Sequence, residues 1–500
     1  MQQLKLFDYD VENSKYINKN FSANGLCSDK ERIALEKKYI PILEVTDKFD
    51  RRSVSYQFNK KRPVHSWLKY KEGFSAELVS ILLNEMQISE GSVIMDPFMG
   101  SGTTSLVCQM HEINSIGYDI MPLSEIVIQA KSNVLSYKIS EIEALIETFS
   151  LLKMPENYSK KTPFITITES AYPEFNERFI QFTTDWISES HYSNEVKTLL
   201  KLCILNSLEK CSYTAKDGQY LRWDSRSLKV INSNIERKQF GQKLLPSHFC
   251  RETIGNIQET IIGELNHVLS DIKIIQSNAK KNLSSSVNFK KCSALFELPL
   301  VEGETIDGVI TSPPYCNRYD YTRIYALELV YLGLNENDIK HLRQSLLSCT
   351  VESNSKISSL KHYYDSINAS NRFTYILNQI NSNPYLQEVI KAINERKICG
   401  DLNNNGVTRM IEGYLSELAF IFAELHRVCK KGATVAIVND NVRYGGEIIP
   451  IDFISTSFAE QFGFTPLKVY CLKQQKGNSS QQMKKFGRAA LRKSITLWKK

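Results

Sequence analysis

The sequence predicts an α/β protein: a largely parallel sheet with helices on both faces, interrupted by two insertions. Three observations point there. Between residues 92 and 131 a strand, a turn rich in Gly and Ser, a helix, a second strand and a second helix follow one another. The same pattern resumes near 287–311 and again near 410–438, after long stretches that lack it. The composition, 42 % hydrophobic and 23 % charged over 500 residues, is that of an ordinary globular protein, neither disordered nor fibrous.

Each element has its own signal. Residues 1–60 are polar and mixed in charge, an N-terminal extension with one expected helix near 30–38. Residues 75–86 carry Leu78, Val79, Leu82, Leu83 and Met86 at helical spacing. Strands are expected at 92–96 and 114–119, with helices at 103–110 and 123–131. Segment 136–285 reads as a helical, more polar insertion. Strands return at 287–290 and 307–311. Segment 335–405 is rich in Ser and Asn and reads as a second polar insertion. A helix at 410–429 and strands at 433–438 and 467–472 complete the pattern. One α/β domain is thus assembled from blocks 61–135, 286–334 and 406–472, with a tail at 473–500.

The tail is chemically distinct. No acidic residue follows Glu460, whereas ten Lys or Arg lie between Lys468 and Lys500; the first 460 residues hold 52 basic and 55 acidic side chains. A near-neutral body with a basic end raises a polyanion as partner, against the plainer reading of a solvated tail. Ala489, Leu491, Ile495 and Trp498 interrupt it with apolar positions that could dock a short helix.

Other classes are disfavoured. No run approaches 18 uncharged apolar residues, so no membrane span is expected. The first residues lack the apolar core of a signal peptide, and 11 cysteines without a CxxC pair fit free thiols in a reducing cytoplasm. His248 and Cys250 have no second pair to complete a zinc set, so no metal centre is expected.

Two motifs carry chemistry. The first is Asp96-Pro-Phe-Met-Gly-Ser-Gly-Thr-Thr104, between a strand and a helix. Gly100 and Gly102 permit a tight turn and close backbone approach, and the helix start favours an anionic group. Asp119 ends the next strand, 17 residues after Gly102, where an acid binds ribose hydroxyls. A ligand-free turn would explain the glycines alone; Asp-Pro before them and the acid after them favour a nucleoside site. The second motif is Thr311-Ser-Pro-Pro-Tyr315, at a strand's C-terminal end. A rigid loop would account for Pro313 and Pro314. The set also supplies a hydroxyl, a carbonyl and an aromatic plane, the parts needed to hold a planar ring bearing an amine.

Together these motifs resemble the S-adenosylmethionine-dependent DNA amino-methyltransferases, whose loops read DPFxGSGTT and (D/N/S)PPY; the Ser form is similar to that of the N4-cytosine enzymes. His65-Ser-Trp-Leu-Lys-Tyr-Lys-Glu-Gly-Phe-Ser75 resembles the family segment that closes over the methionine end of the cofactor. Residues 322–329 and 439–444 also read like bacterial members. The resemblance implies a Rossmann-like class I methyltransferase sheet. It implies S-adenosylmethionine as cofactor, held by Tyr70, Lys71, Gly73, Phe74, Asp96, Pro97, Phe98, Gly100, Ser101, Gly102, Thr103, Thr104 and Asp119. Catalysis falls to Ser312, Pro313, Pro314 and Tyr315. Double-stranded DNA is the implied partner and a cognate restriction endonuclease a further one, in a bacterial cytoplasm.

The implied mechanism flips a base out of the duplex and stacks it on Tyr315. The Ser312 hydroxyl and Pro313 carbonyl accept its amine protons. Adenine N6 is the nearest rival to cytosine N4 and an RNA N-methyltransferase ranks third. A nicotinamide dehydrogenase or a non-catalytic DNA-binding module would leave residues 312–315 without a task. Lys291-Cys292-Ser293 departs from the family's usual acid, leaving Ser293 as the candidate adenine contact. The insertion at 136–285 is the leading target-recognition candidate, with 335–405 next. Within the first, Tyr213–Trp223 mixes basic and aromatic residues and could contact DNA or simply form a turn. Arg318, Arg323, Asn441 and Arg443 are candidates for phosphate or base contacts, with local pairing as the plainer reading. Cys316 reads as a buried small residue, since no covalent cysteine is needed.

Overall fold

A computed structural model of the chain describes residues 16–71, 73–217, 220–245, 249–278, 285–473 and 483–500. Its strands are β1 (Leu43–Thr46), β2 (Val93–Asp96), β3 (Asn114–Asp119), β4 (Thr214–Asp217), β5 (Tyr220–Trp223), β6 (Val287–Lys291), β7 (Ile306–Thr311), β8 (Cys429–Asp440), β9 (Val442–Tyr444), β10 (Glu447–Ile449), β11 (Thr465–Leu472) and β12 (Lys493–Lys499).

Eight of them form one sheet in the order β1-β11-β12-β8-β7-β2-β3-β6. All its neighbours are parallel except β12, which runs against both β11 and β8. Chain order reverses between β2 and β7. In an open α/β sheet the crevice outside the carboxyl ends of the strands at such a switch point binds the ligand. This is the α/β architecture that the sequence predicts.

The expected elements form for legible reasons. In helix Ala76–Glu85 the Ser75 hydroxyl accepts from the N–H of Leu78, and Leu78, Val79 and Leu82 are fully buried against the sheet. Each such side chain contributes roughly 1.5–3 kcal/mol. From Gly308 to Thr311 β7 is buried on both faces, as a central parallel strand must be.

Three regions differ from the sequence reading. The end of the basic tail is β12, inserted between β11 and β8, and not a docked helix. Ser494, Ile495, Thr496, Leu497 and Trp498 are all buried, and Trp498 packs edge-on against Phe422 at 4.9 Å. Lys500 Nζ donates to the carbonyl of Cys429 at 2.7 Å. Arg492 is enclosed as well, 2.9 Å from both Asp452 and Glu36. The tail is therefore a structural part of the sheet from Arg492 onward; residues 474–482 lie outside the described residues. β1 similarly adds an edge strand in what reads as an N-terminal extension.

The second insertion is also more ordered than its Ser- and Asn-rich text suggests. Helices Glu336–Ser345, Ile357–Ser366, Ser370–Ser382 and Pro384–Ile398 bury Phe373, Ile376 and Ile380, then Leu386, Val389 and Ile393. These belong to one core with Phe420 of helix Val407–Val428. The first insertion contributes helices Ile139–Ser150, Glu174–Glu189, Asn194–Leu208, Leu228–Gln239 and Ile257–Asn278 plus the β4–β5 hairpin. Its core is continuous with Val127 of helix Pro122–Ser132. No helix among the described residues is long and apolar enough to cross a membrane.

Candidate active site

Asp96 ends β2 and is buried. Its Oδ2 accepts from Thr104 Oγ1 at 2.7 Å; its Oδ1 accepts from Thr311 Oγ1 at 2.6 Å and from the Phe98 N–H at 3.1 Å. Burial pushes its carboxyl up to about 6, against the opposing pull of those three donors. Thr104 thus serves the loop from beneath.

The turn itself needs its glycines. Gly100 and Gly102 have φ of +54° and +73°. A Cβ at 100 would lie 3.1 Å from the Tyr70 ring, and one at 102 only 2.9 Å from Ile128 Cγ1. Helix Thr103–Met110 starts directly after Gly102, turning its positive end toward the turn. Below, the buried Lys131 Nζ donates to the Ser101 carbonyl at 3.0 Å, and burial brings its amine down to about 7. Asp119 props the turn from the side: it accepts from the N–H groups of Gly100 and Met121, each at 2.8 Å. Burial raises this carboxyl too, to about 6.

Tyr70 roofs the turn. Its ring stacks on Tyr325 at 5.5 Å and on Tyr321 at 6.2 Å, while Tyr325 OH accepts from the Lys71 N–H at 2.9 Å. Segment 65–75 is therefore fastened to the chain that follows the second motif, a pairing the sequence does not announce.

A cleft with an internal volume of about 80 Å³ opens among these parts. Of the residues expected from sequence, Tyr70, Gly73, Phe74, Asp96, Pro97, Phe98, Gly100, Ser101, Thr103, Asp119, Ser312 and Pro314 line it. Lys71, Gly102, Thr104, Pro313 and Tyr315 lie outside that lining. Residues not foreseen also line it: Ile120 and Met121, directly after Asp119, and Ser345 to Leu347 from the start of the second insertion. The former could have been found as neighbours of the strand-end acid; the latter carry no local signal. Cys292 and Ser293 line the cleft where the expected acid is missing.

Tyr315 is almost fully buried. Its hydroxyl accepts from Ser312 Oγ at 3.2 Å, and the ammonium of Lys493 stands 4.7 Å from its ring centroid. Cys316 is enclosed and burial drives its thiol well above the ordinary range, which removes it as a nucleophile.

The weaker candidates each have local partners. Arg443 donates to the carbonyls of Gly446, Phe486 and Gly487, and Asn441 Oδ1 accepts from the Asp452 N–H at 3.1 Å. Arg318 donates to Asn403 at 2.9 Å, and Arg323 lies 4.0 Å from Asp320. Tyr213–Trp223 contains the β4–β5 hairpin, with Lys229 over the Trp223 ring at 4.8 Å. Its turn at 218–219 lies outside the described residues, as does His248. No group of three or more His, Cys, Asp or Glu among the described residues could hold a metal ion.

Comparison with known proteins accords with this geometry. A family model described as DNA methylase matches residues 11–129, the block that holds the glycine turn and Asp119. The chain is 49 % identical over 494 residues to the type II methyltransferase M.BsoBI of Geobacillus stearothermophilus, covering 99 % of this chain and 95 % of that protein. It is 36 % identical over 474 residues to the type II methyltransferase M.AvaI of a Nostoc species, covering 93 % and 92 %. The type II methyltransferase M.MjaII of Methanocaldococcus jannaschii is 24 % identical over 343 residues, covering 54 % of this chain and 63 % of its own.

Proposed function

The chain belongs to the type II DNA methyltransferases that methylate exocyclic amines, and on that premise we propose that it transfers a methyl group from S-adenosylmethionine to N4 of cytosine in duplex DNA. The observation that carries this reading is the Asp96 junction. One buried carboxylate accepts from Thr104 of the glycine turn and from Thr311 of the Ser-Pro-Pro-Tyr loop. The nucleoside cradle and the amine-holding loop are thereby one construction.

The residues fit the cofactor. Gly100 lets the Tyr70 ring close against the turn, Asp119 offers carboxylate lone pairs for ribose hydroxyls, and Tyr70 and Phe74 supply apolar surface. Bound there, the cofactor supplies an electrophilic methyl on a sulfonium. The chain's own task is positioning: the Ser312 hydroxyl and Pro313 carbonyl accept the two amine protons, turning the nitrogen lone pair toward the methyl. The base must leave the stack to reach them, at a cost of a few kcal/mol. Stacking on Tyr315 recovers roughly 1–3 kcal/mol.

Ser rather than Asp at position 312 favours cytosine; adenine N6 is the second reading, because the same two acceptors suit either amine. The first insertion is proposed to read the target. It borders a cleft lined with Lys60, Lys69, Lys71, Lys210, Lys216 and Arg251 beside Glu209, Glu264 and Glu328, a net positive set suited to phosphates. A cognate endonuclease is the partner this setting implies. The deciding experiment incubates the protein with unmethylated duplex DNA and labelled S-adenosylmethionine, then digests to nucleosides. N4-methylcytosine is expected. N6-methyladenine as sole product would replace the cytosine assignment, and no label in DNA would remove the methyl-transfer reading.

A further inference from the structure

Residue 493 is the first of β12 and stands in register with Asp440, the last of β8, at the edge of the sheet where the β7 loop emerges. Its ammonium lies 3.3 Å from Asp440 Oδ1 and 4.7 Å from the centroid of Tyr315. That second spacing falls in the range of stacked ring pairs, about 4.5–7 Å between centroids. The cation thus covers a face of the ring that the methyl-transfer reading assigns to a flipped base. Tyr315 is only 2 % exposed, and its hydroxyl is already held by Ser312. Asp440 Oδ1 accepts no hydrogen bond in this arrangement, so it can take a tighter one when the ammonium moves.

Resting on the methyl-transfer reading, we propose that Lys493 is the resident occupant of the target-base seat: its ammonium covers Tyr315 in the DNA-free protein and withdraws onto Asp440 as the base enters. A cation over an aromatic face and a base stacked on it are interactions of similar size. The exchange is close to balanced, and binding of the surrounding duplex tips it. Lys493 then acts as a filter, because a base that gains nothing from Ser312 and Pro313 does not displace it.

The test measures kcat and KM for unmethylated phage DNA with tritiated S-adenosylmethionine. The unaltered protein is compared with Lys493→Met, Lys493→Arg and Asp440→Asn. Lys493→Met should raise kcat/KM about threefold to tenfold through a lower KM, the fold-change expected from removing one cation–ring interaction. Asp440→Asn should raise KM, because the ammonium loses the acceptor it withdraws to. Lys493→Arg should stay near the unaltered value. Affinity for S-adenosylhomocysteine is read alongside each variant to establish a folded cleft. A higher KM or a kcat more than tenfold lower in Lys493→Met would overturn the proposal, as would Lys493→Arg behaving like Lys493→Met. No incorporation by the unaltered protein would instead defeat the methyl-transfer reading itself.

Discussion

Thr311 and Asp96 are 215 positions apart in the chain, yet the Thr311 hydroxyl donates to Asp96 Oδ1 at 2.6 Å. The last residue of β7 is thereby tied to the last residue of β2. Asp96→Ala should leave two buried hydroxyls and the Phe98 N–H without their acceptor, costing about 2–4 kcal/mol in a urea titration. Thr311→Val removes one donor and should cost about 1 kcal/mol. It should reduce methyl transfer more than cofactor affinity, since the loop that shifts is the one proposed to hold the base.

Ser312→Ala should slow methyl transfer on the order of 100-fold by misplacing the amine. Single-turnover incorporation into DNA reads this directly. Titration with S-adenosylhomocysteine should show cofactor affinity within about twofold of the unaltered protein, because Ser312 is proposed to hold the base and not the cofactor. Equal losses in both would remove the assigned role.

Gly100→Ala should weaken cofactor binding at least tenfold by calorimetry. The new Cβ presses on the Tyr70 ring at 3.1 Å, and a φ of +54° adds strain of about 1–2 kcal/mol. Replacing that ring by Tyr70→Leu in the same chain should recover part of the loss.

Cofactor affinity should fall as pH drops from 7 to 5. Burial holds Asp119 near 6, and protonation removes the charged acceptor proposed for the ribose hydroxyls. The accompanying change in stability has the opposite sign for this group. Its folded value is raised above the ordinary 3.8, so the native state binds more protons between about 4 and 6. Its stability contribution is then present at low pH and lost as pH rises through 6. Asp96, also near 6, acts the same way. Calorimetric titration and thermal melting at matched pH should therefore show weaker binding without destabilisation from these two carboxyls. In Asp119→Asn the binding should be weak and nearly flat with pH.

The basic segment calls for substitution, not deletion. Removing 473–500 would take β12 out of the sheet and should abolish folding. Replacing Lys473, Lys476, Lys484, Lys485 and Arg488 by Gln leaves the strand intact. It should flatten the dependence of DNA affinity on salt by about 0.9 in log–log slope for each phosphate no longer neutralised. An unchanged slope would mean these charges face no phosphate.

Much of this molecule was legible because its signals are local. The strand, turn and helix around Asp96 announce themselves by period and by glycine, and the Pro-Pro loop follows a buried apolar strand. What stayed hidden depended on distant partners. Ile495 and Leu497 alternate with Thr496 and Trp498 as in a strand, but within a run of basic residues their tertiary slot could not be seen. Phe373, Ile376 and Ile380 keep helical spacing diluted by Ser and Asn. Leu346 and Leu347 reach the cleft only because the second insertion packs beside it. Tyr315 could be named from its motif, whereas the lysine over its ring comes from 178 positions further along the chain.

The position of β12 also sets an order of events during synthesis. A chain emerging from the ribosome can pair β2, β3, β6, β7 and β8 as they appear, but β11 and β1 have no bond to that group until β12 joins them. Its slot lies between strands made earlier, so two separate half-sheets with open edges must wait for residues 493–499. Completion of the sheet thus waits on a long-range closure, which makes it slow. A nascent or prematurely stopped chain, even one that already carries both chemical loops, lacks the frame to hold them and is a candidate for chaperone capture.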